Sequence, residues 1–262
     1  MKSLMSYDNL DQIVDALMPA LYEAGAEIMA IHKRQISARL KPDGSPVTEA
    51  DEAAEAILLP ALAHAAADIA VVSEENAASH KLDVAPLFFL VDPIDGTKEF
   101  LKPDGQGSFT VNIGLIQESA PIMGLVYAPA FDALYIGIVG HRAEKITAGE
   151  RTSLFVRDVP ETGAVAVASS SHRDEETNQW LVQHKITNTK SIGSSLKFCL
   201  VAEGEADVYP RFGPTMEWDT AAGDAVLRAA GGMVMTTDYK PYPYGKDAYR
   251  NGAFIATGQW RP

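Results

Sequence analysis

The 262 residues suffice for one large domain or two modest ones, and 47% hydrophobic residues supply a core of ordinary globular size. With 35 acidic residues against 22 basic ones, the formal net charge of -13 argues against a nucleic-acid backbone or an anionic membrane surface as partner. A small anionic substrate is still allowed, because local cations or bound metals reverse the potential at a single site.

The one cysteine, Cys199, excludes an internal disulfide and reads as a buried structural thiol in an apolar, helical stretch. No charged-then-apolar signal opens the chain, and the most apolar long segment, Pro121 to Gly140, is interrupted by Pro129 and Asp132. The expectation is a soluble, cytoplasmic protein with no integral membrane segment, leaving peripheral inner-membrane attachment and oligomeric state open.

Apolar residues at Leu10, Ile13, Val14, Leu17, Leu21, Ala24, Ile28 and Ile31 predict one face of a helix over 8–34, kinked at Pro19 and Gly25. A turn-rich loop, Lys41 to Pro46, precedes a second helix from Thr48 to about Asp68. Two readings compete for Asp51. Standing three residues after Thr48, it completes a capping box and satisfies backbone donors; alternatively it is a carboxylate at the lip of a site, with Lys41 nearby.

Ile69 to Ser73 predicts a short buried strand that runs into Glu74 and Glu75. Leu87 to Val91 repeats the pattern, running into Asp92-Pro93-Ile94-Asp95-Gly96-Thr97. An unbroken apolar run reads as a strand buried on both faces, so these acids stand where a core strand ends. Pro93 fixes one backbone angle, and Gly96 supplies a positive φ or a close approach. Two carboxylates on so stiff a turn repel unless a cation sits between them; a plain Asp-Pro turn with solvated carboxylates is the competing reading. If the two strands end at one sheet edge, Glu74 joins Asp92 and Asp95, and converging carboxylate oxygens make a hard-cation site.

Alternation over 109–116, 122–127 and 134–139 predicts an antiparallel meander. From about Arg157 strand and helix alternate again, with a strand at Ala164 to Ser169 and a helix at Asp174 to His184. The charged segment Arg151 to Gly163 is the expected border between an N-terminal α+β domain (1–160) and a C-terminal α/β domain (161–262). Ser194 and Ser195 stand after Gly193 at the start of an apolar helix, a seat for an anion or an ordinary N-cap. Tyr209 to Thr215 reads as a rigid loop carrying Arg211. Trp218-Asp219-Thr220-Ala221-Ala222-Gly223-Asp224 opens a helix of small residues ending at Gly231-Gly232, with Asp219 either a cap or a further carboxylate for the site.

Val91-Asp92-Pro93-Ile94-Asp95-Gly96-Thr97 and Trp218-Asp219-Thr220-Ala221-Ala222-Gly223, with Ser73-Glu74-Glu75 upstream, resemble the lithium-sensitive, magnesium-dependent phosphatase superfamily of inositol monophosphatase and the 3'(2'),5'-bisphosphate nucleotidases. Lys98-Glu99-Phe100, Ser191 to Cys199 and Tyr209 to Thr215 resemble its nucleotidase branch. The resemblance implies an inositol monophosphatase-like α/β fold of alternating α and β layers, and two or three Mg²⁺ ions with sensitivity to Li⁺. It implies ligands from Glu74, Asp92, the Ile94 carbonyl, Asp95 and Asp219, with Asp51, Thr97 and Glu74 acting on the attacking water. Gly96, Thr97 and Lys98 would meet the phosphate to be cut, and His172, Ser194, Ser195, Lys197 and Arg211 the rest of a small nucleoside bisphosphate. Lys41 takes a lesser role near a mobile loop. The implied reaction is hydrolysis of 3'-phosphoadenosine 5'-phosphate to AMP, with the sulfated analogue as a second substrate. The rivals are an inositol or sugar-bisphosphate phosphatase and, more remotely, a non-catalytic magnesium-nucleotide binder.

Overall fold

The computed structural model describes residues 5–34, 38–40, 46–82, 85–102, 107–168 and 174–261. Helix α1 (Tyr7–His32) leads through the paired two-residue strands β1 (Arg39–Leu40) and β2 (Pro46–Val47) to α2 (Glu49–Ala65). Strands β3 (Ala70–Ser73) and β4 (Leu87–Asp95) follow, then the single turn α3 (Thr97–Phe100). The chain then makes β5 (Thr110–Gln117), β6 (Ala120–Ala128), β7 (Ala133–Ile138), β8 (Arg142–Thr147) and β9 (Glu150–Ser153). Its second half holds β10 (Val165–Ala168), α4 (Glu175–Gln183), β11 (Asn188–Ser191), α5 (Leu196–Ala202) and β12 (Val208–Arg211). It closes with β13 (Thr215–Met216), α6 (Ala221–Ala229), β14 (Met233–Thr236), β15 (Arg250–Asn251) and β16 (Phe254–Thr257).

Strands β3 to β9 form a seven-stranded sheet in sequence order, and β11-β10-β12-β16-β14 form a five-stranded one. Helices α1 and α2 pack on one face of the larger sheet through Leu17, Leu21, Leu58, Phe89, Val91 and Ile113. Its other face shares one core with α5, α6 and the smaller sheet, joining Leu90 and Val126 to Phe198, Val226, Tyr209 and Phe254. Helix α4 covers the far face of the smaller sheet through Trp180 and Leu181. The layers therefore alternate α, β, α, β, α, as expected. Among the described residues no helix is long and apolar enough to cross a membrane.

Two features of packing position the site. β3 pairs parallel with β4, Ser73 opposite Val91, so both strands deliver their acids to one sheet edge. Gly114, Gly124 and Gly137 lie in register on β5, β6 and β7, forming a bare row on which α6 rests. A Cβ on Gly124 would come within 2.2 Å of the Ala222 carbonyl oxygen, and one on Gly137 within 2.4 Å of Val226 Cα. Small residues on both surfaces thus seat α6, and with it the Asp219 turn, directly on the sheet.

Some expectations need correction. The meander does not stop at residue 139: β8 and β9 extend it with alternation carried by charged residues such as Arg142 and Glu144. The border segment therefore begins inside β9. β11 is exposed throughout, so it lacked an apolar signal, and Val208–Arg211 is a strand rather than the start of a loop. Helix α1 runs through Pro19 and Gly25 as one element, and Gly25 leaves room for Tyr127, whose Cε1 a Cβ would meet at 2.3 Å. Helix α6 starts two residues after Asp219, with Thr220 at its N-cap position.

Candidate active site

At the shared edge of β3 and β4, Glu74, Asp92 and Asp219 each present a carboxylate oxygen within 4.8 Å of the others. Glu74 is set by its backbone N–H, which donates to the Val91 carbonyl at 3.0 Å. One residue earlier, the Ser73 hydroxyl donates to Glu55 of α2, and the Ser73 carbonyl contacts His80 Nε2 at 2.8 Å. The His80 ring stacks on Trp218 with centroids 4.8 Å apart, so one imidazole ties the Glu74 strand end to the turn carrying Asp219. That turn is closed by Asp219 Oδ2, which accepts from the Met216 N–H at 2.8 Å.

Asp92 Oδ1 accepts from the Ile94 N–H at 3.0 Å, bending the strand at Pro93, while its buried Oδ2 has no hydrogen-bond partner. Asp95 follows an irregularity in the β4–β5 register and accepts from the Ser195 hydroxyl at 3.2 Å. The same hydroxyl lies 2.8 Å from the Asp219 carbonyl oxygen. Ser195 thus braces two acids from behind, and it is Ser194 that faces the cleft.

The acids disturb one another. Burial first, then the charges of Glu74, Asp95, Asp219 and Asp51, push the Asp92 carboxyl well above the usual range. Burial and the charges of Asp95 and Glu74 do the same to Asp219. Burial raises Asp95 to about 6, opposed by Lys197 and the Ser195 hydrogen bond. Raised carboxyls, an orphaned buried oxygen and an all-oxygen donor set fit a hard divalent cation.

Asp51 is buried and forms the cap. Its Oδ2 accepts from the Thr48 N–H at 2.8 Å and the Thr48 hydroxyl at 2.7 Å, a complete capping box, and its charge still reaches Asp92. Gly96 has φ +94°, and a Cβ there would stand 3.0 Å from the Ser108 carbonyl oxygen, so glycine is required twice over. The Thr97 hydroxyl donates to the Ile94 carbonyl at 3.3 Å.

A cleft of about 360 Å³ is lined by Glu74, Asp95, Gly96, Thr97 and Asp219 together with the cations Lys98, Lys197 and Arg211. Lys197 is buried, donates to the Ser194 carbonyl at 2.6 Å and lies 5.3 Å from the Tyr209 ring centre. Burial, helped by Arg211 and opposed by Asp95, lowers its ammonium to about 8. Arg211 donates Nε to the Gly213 carbonyl and Nη2 to the Pro214 carbonyl, at 3.2 and 3.1 Å. Lys41 and His172 lie outside the described residues.

The cleft also holds residues the sequence reading left without a role. Glu99 is buried there, 3.6 Å from Lys102, and Phe198, Tyr209, Thr215 and Thr220 complete the lining. The one-turn helix α3 turns Glu99 inward, which no periodicity in four residues could reveal.

Residues 9–261 match the inositol monophosphatase family. The chain is 43% identical to the 3'(2'),5'-bisphosphate nucleotidase CysQ of Salmonella typhimurium, over 89% of this chain and 95% of the relative. With the CysQ of Buchnera aphidicola it shares 39% identity, over 90% of each. Among solved structures, CysQ from Bacteroides thetaiotaomicron superposes with a TM-score of 0.80 at 35% identity, covering 96% of this chain and 98% of the other. Inositol monophosphatase from Anabaena follows at 0.74 and 27%, covering 95% and 91%.

Proposed function

The chain belongs to the inositol monophosphatase family, and from that premise we propose that it is a 3'(2'),5'-bisphosphate nucleotidase that removes the 3'-phosphate of 3'-phosphoadenosine 5'-phosphate, leaving AMP and phosphate. The observation that carries this reading is one cleft lined by both a mutually repelling carboxylate cluster and three cations. The carboxylates suit metal-assisted attack on one phosphate, and the cations suit recognition of a second. The nucleotidases named among its relatives support that substrate.

Glu74, Asp92, Asp95, Asp219 and the Ile94 carbonyl would hold Mg²⁺, with Li⁺ as an inhibitor. Bound there, the ion supplies Lewis acidity toward the phosphoryl oxygens and lowers the pKa of water. The remaining work falls to the chain. Thr97 directs its O–H at Ile94, leaving its oxygen lone pairs to accept from the attacking water. Asp51, with Glu74, takes the proton, and Thr48 fixes its carboxylate. Gly96 and Thr97 N–H groups and Lys98 receive the phosphate being cut, while Ser194, Lys197 and Arg211 take the nucleotide's other end. The sulfated analogue fits the same scheme. The reading places the enzyme in the cytoplasm, acting on a free small molecule.

Phosphate release across nucleoside bisphosphates, inositol 1-phosphate and sugar bisphosphates, with Mg²⁺ and with added Li⁺, tests the reading. The adenosine bisphosphate is expected to turn over fastest. A preference for inositol 1-phosphate would overturn the substrate, and full activity after exhaustive chelation the metal.

A further inference from the structure

Four of the five buried side-chain atoms without a hydrogen-bond partner among the described residues fall in one patch: Oδ2 of Asp92, Oγ1 of Thr110 and both polar atoms of the Asn112 amide. Strand register brings them together. Asn112 of β5 stands opposite Asp92 of β4, and Thr110 opposite Asp95. Directly opposed residues of an antiparallel pair share a face, as do residues two apart on one strand. Thr110 and Asn112 are both fully buried.

The same face of β5 carries Gly114, where a Cβ would stand 2.6 Å from Ala221 Cβ. The patch therefore lies beneath the first turn of α6, beside the segment that bears Asp219. Packing alone does not call for an amide here. The β6 residue opposite Asn112 is Val126, and Leu90 and Ile116 on the same faces belong to the apolar core.

We propose that Asn112, aided by Thr110, is a positioning residue for the metal centre: through a buried water, amide and hydroxyl hold Asp92 and Asp95 from the sheet side and fix their carboxylates for cation binding. The inference rests on the metal reading of the carboxylate cluster. The chemistry of the patch selects water over a second cation. An amide NH₂ repels a cation, whereas water donates to the amide and carboxylate oxygens and accepts from the NH₂ and the hydroxyl. Partners behind metal ligands typically change metal affinity by ~10–100-fold when removed.

Calorimetric titration of Mg²⁺ into the substrate-free, chelator-treated full chain, with melting temperatures in the presence and absence of Mg²⁺, reads this role without turnover. Asn112→Ala is expected to weaken Mg²⁺ binding by ~10–100-fold. Its metal-free melting temperature should fall modestly, because the water-bridged hydrogen bonds are lost and a small cavity is left. Thr110→Val should lose less affinity, and Asn112→Ser, which keeps a hydroxyl for the water, should stay close to the parent. Unchanged Mg²⁺ affinity in Asn112→Ala overturns the proposal, whether or not its metal-free stability falls. Should Asn112→Ala fail to fold, the nearly isosteric Asn112→Leu and Thr110→Val carry the same comparison, and unchanged affinity in both overturns it. A parent chain that binds no Mg²⁺ sinks the metal reading itself, whereas tight parental binding retained by the variants sinks only the role of Asn112.

Discussion

The acids and the cations of the cleft are built on different principles. Glu74, Asp92, Asp95 and Asp219 are brought together by strand ends and a turn, and three of them are left with carboxyls pushed upward by burial and by one another. Lys197 of α5 and Arg211 of β12 instead spend hydrogen bonds on nearby backbone carbonyls, of Ser194 and of Gly213 and Pro214. The acids form a site that folding leaves electrostatically unfinished, whereas Lys197 and Arg211 are oriented by backbone carbonyls before any ligand arrives. An assembly of the first kind suits an ion, and one of the second kind suits recognition of an anion.

The most severe way to break this contrast is to remove an acid. Asp95→Asn is expected to cut turnover at least ~10²-fold, with the fold retained, since it relieves repulsion among buried charges. Unchanged steady-state turnover would place the reaction elsewhere.

Removing the ion gives the next largest effect and carries a definite sign. Below the ordinary value of 3.8 the site carboxyls are neutral in folded and unfolded chains alike, and their contribution to stability is fully present. Because the folded Asp95 carboxyl is raised to about 6, that contribution is lost as pH rises through 6, and Asp92 and Asp219, also raised, act in the same direction. Melting curves with chelator should therefore show metal-free stability falling across this range relative to Asp95→Asn. Added Mg²⁺ should restore most above pH 6, and a gain confined to acid pH would contradict the assignment.

The cations predict a smaller effect confined to recognition. Arg211→Ala should raise KM for the nucleoside bisphosphate by ~10–100-fold, the weight of a charged hydrogen bond, with kcat toward a simple monophosphate little changed. Arg211→Lys should fall between, because an ammonium keeps the charge without the fork. KM should also climb above pH 8, where Lys197 gives up its proton. A loss of kcat on every substrate would blur the division between the two groups.

The mildest test bears on the scaffold they share. Gly124→Ala drives a methyl into the Ala222 carbonyl, and overpacking of this kind costs about 1–3 kcal/mol. A lowered melting temperature with weaker Mg²⁺ binding is expected, because α6 carries the Asp219 turn. Loss of stability with unaltered Mg²⁺ binding would separate the helix seat from the site.

Much of this was legible in the amino-acid sequence. Apolar runs ending in Glu74 and in Asp92 and Asp95, the capping spacing of Thr48 and Asp51, and the small residues of the Asp219 helix are local signals, since a strand end, a cap and a close-packed helix each have a chemical signature within a few residues. Strand β8 and the edge strands β9 and β11 escaped because charged or exposed side chains hide the alternation by which a strand is read. Only the tertiary structure decided that Ser195 braces Asp95 and Asp219 from behind, that Glu99 turns into the cleft, and that Asn112 lies across from Asp92. Those relations depend on cross-strand register and on a helix seated over glycines, contacts between residues far apart in the chain that no single stretch of sequence contains.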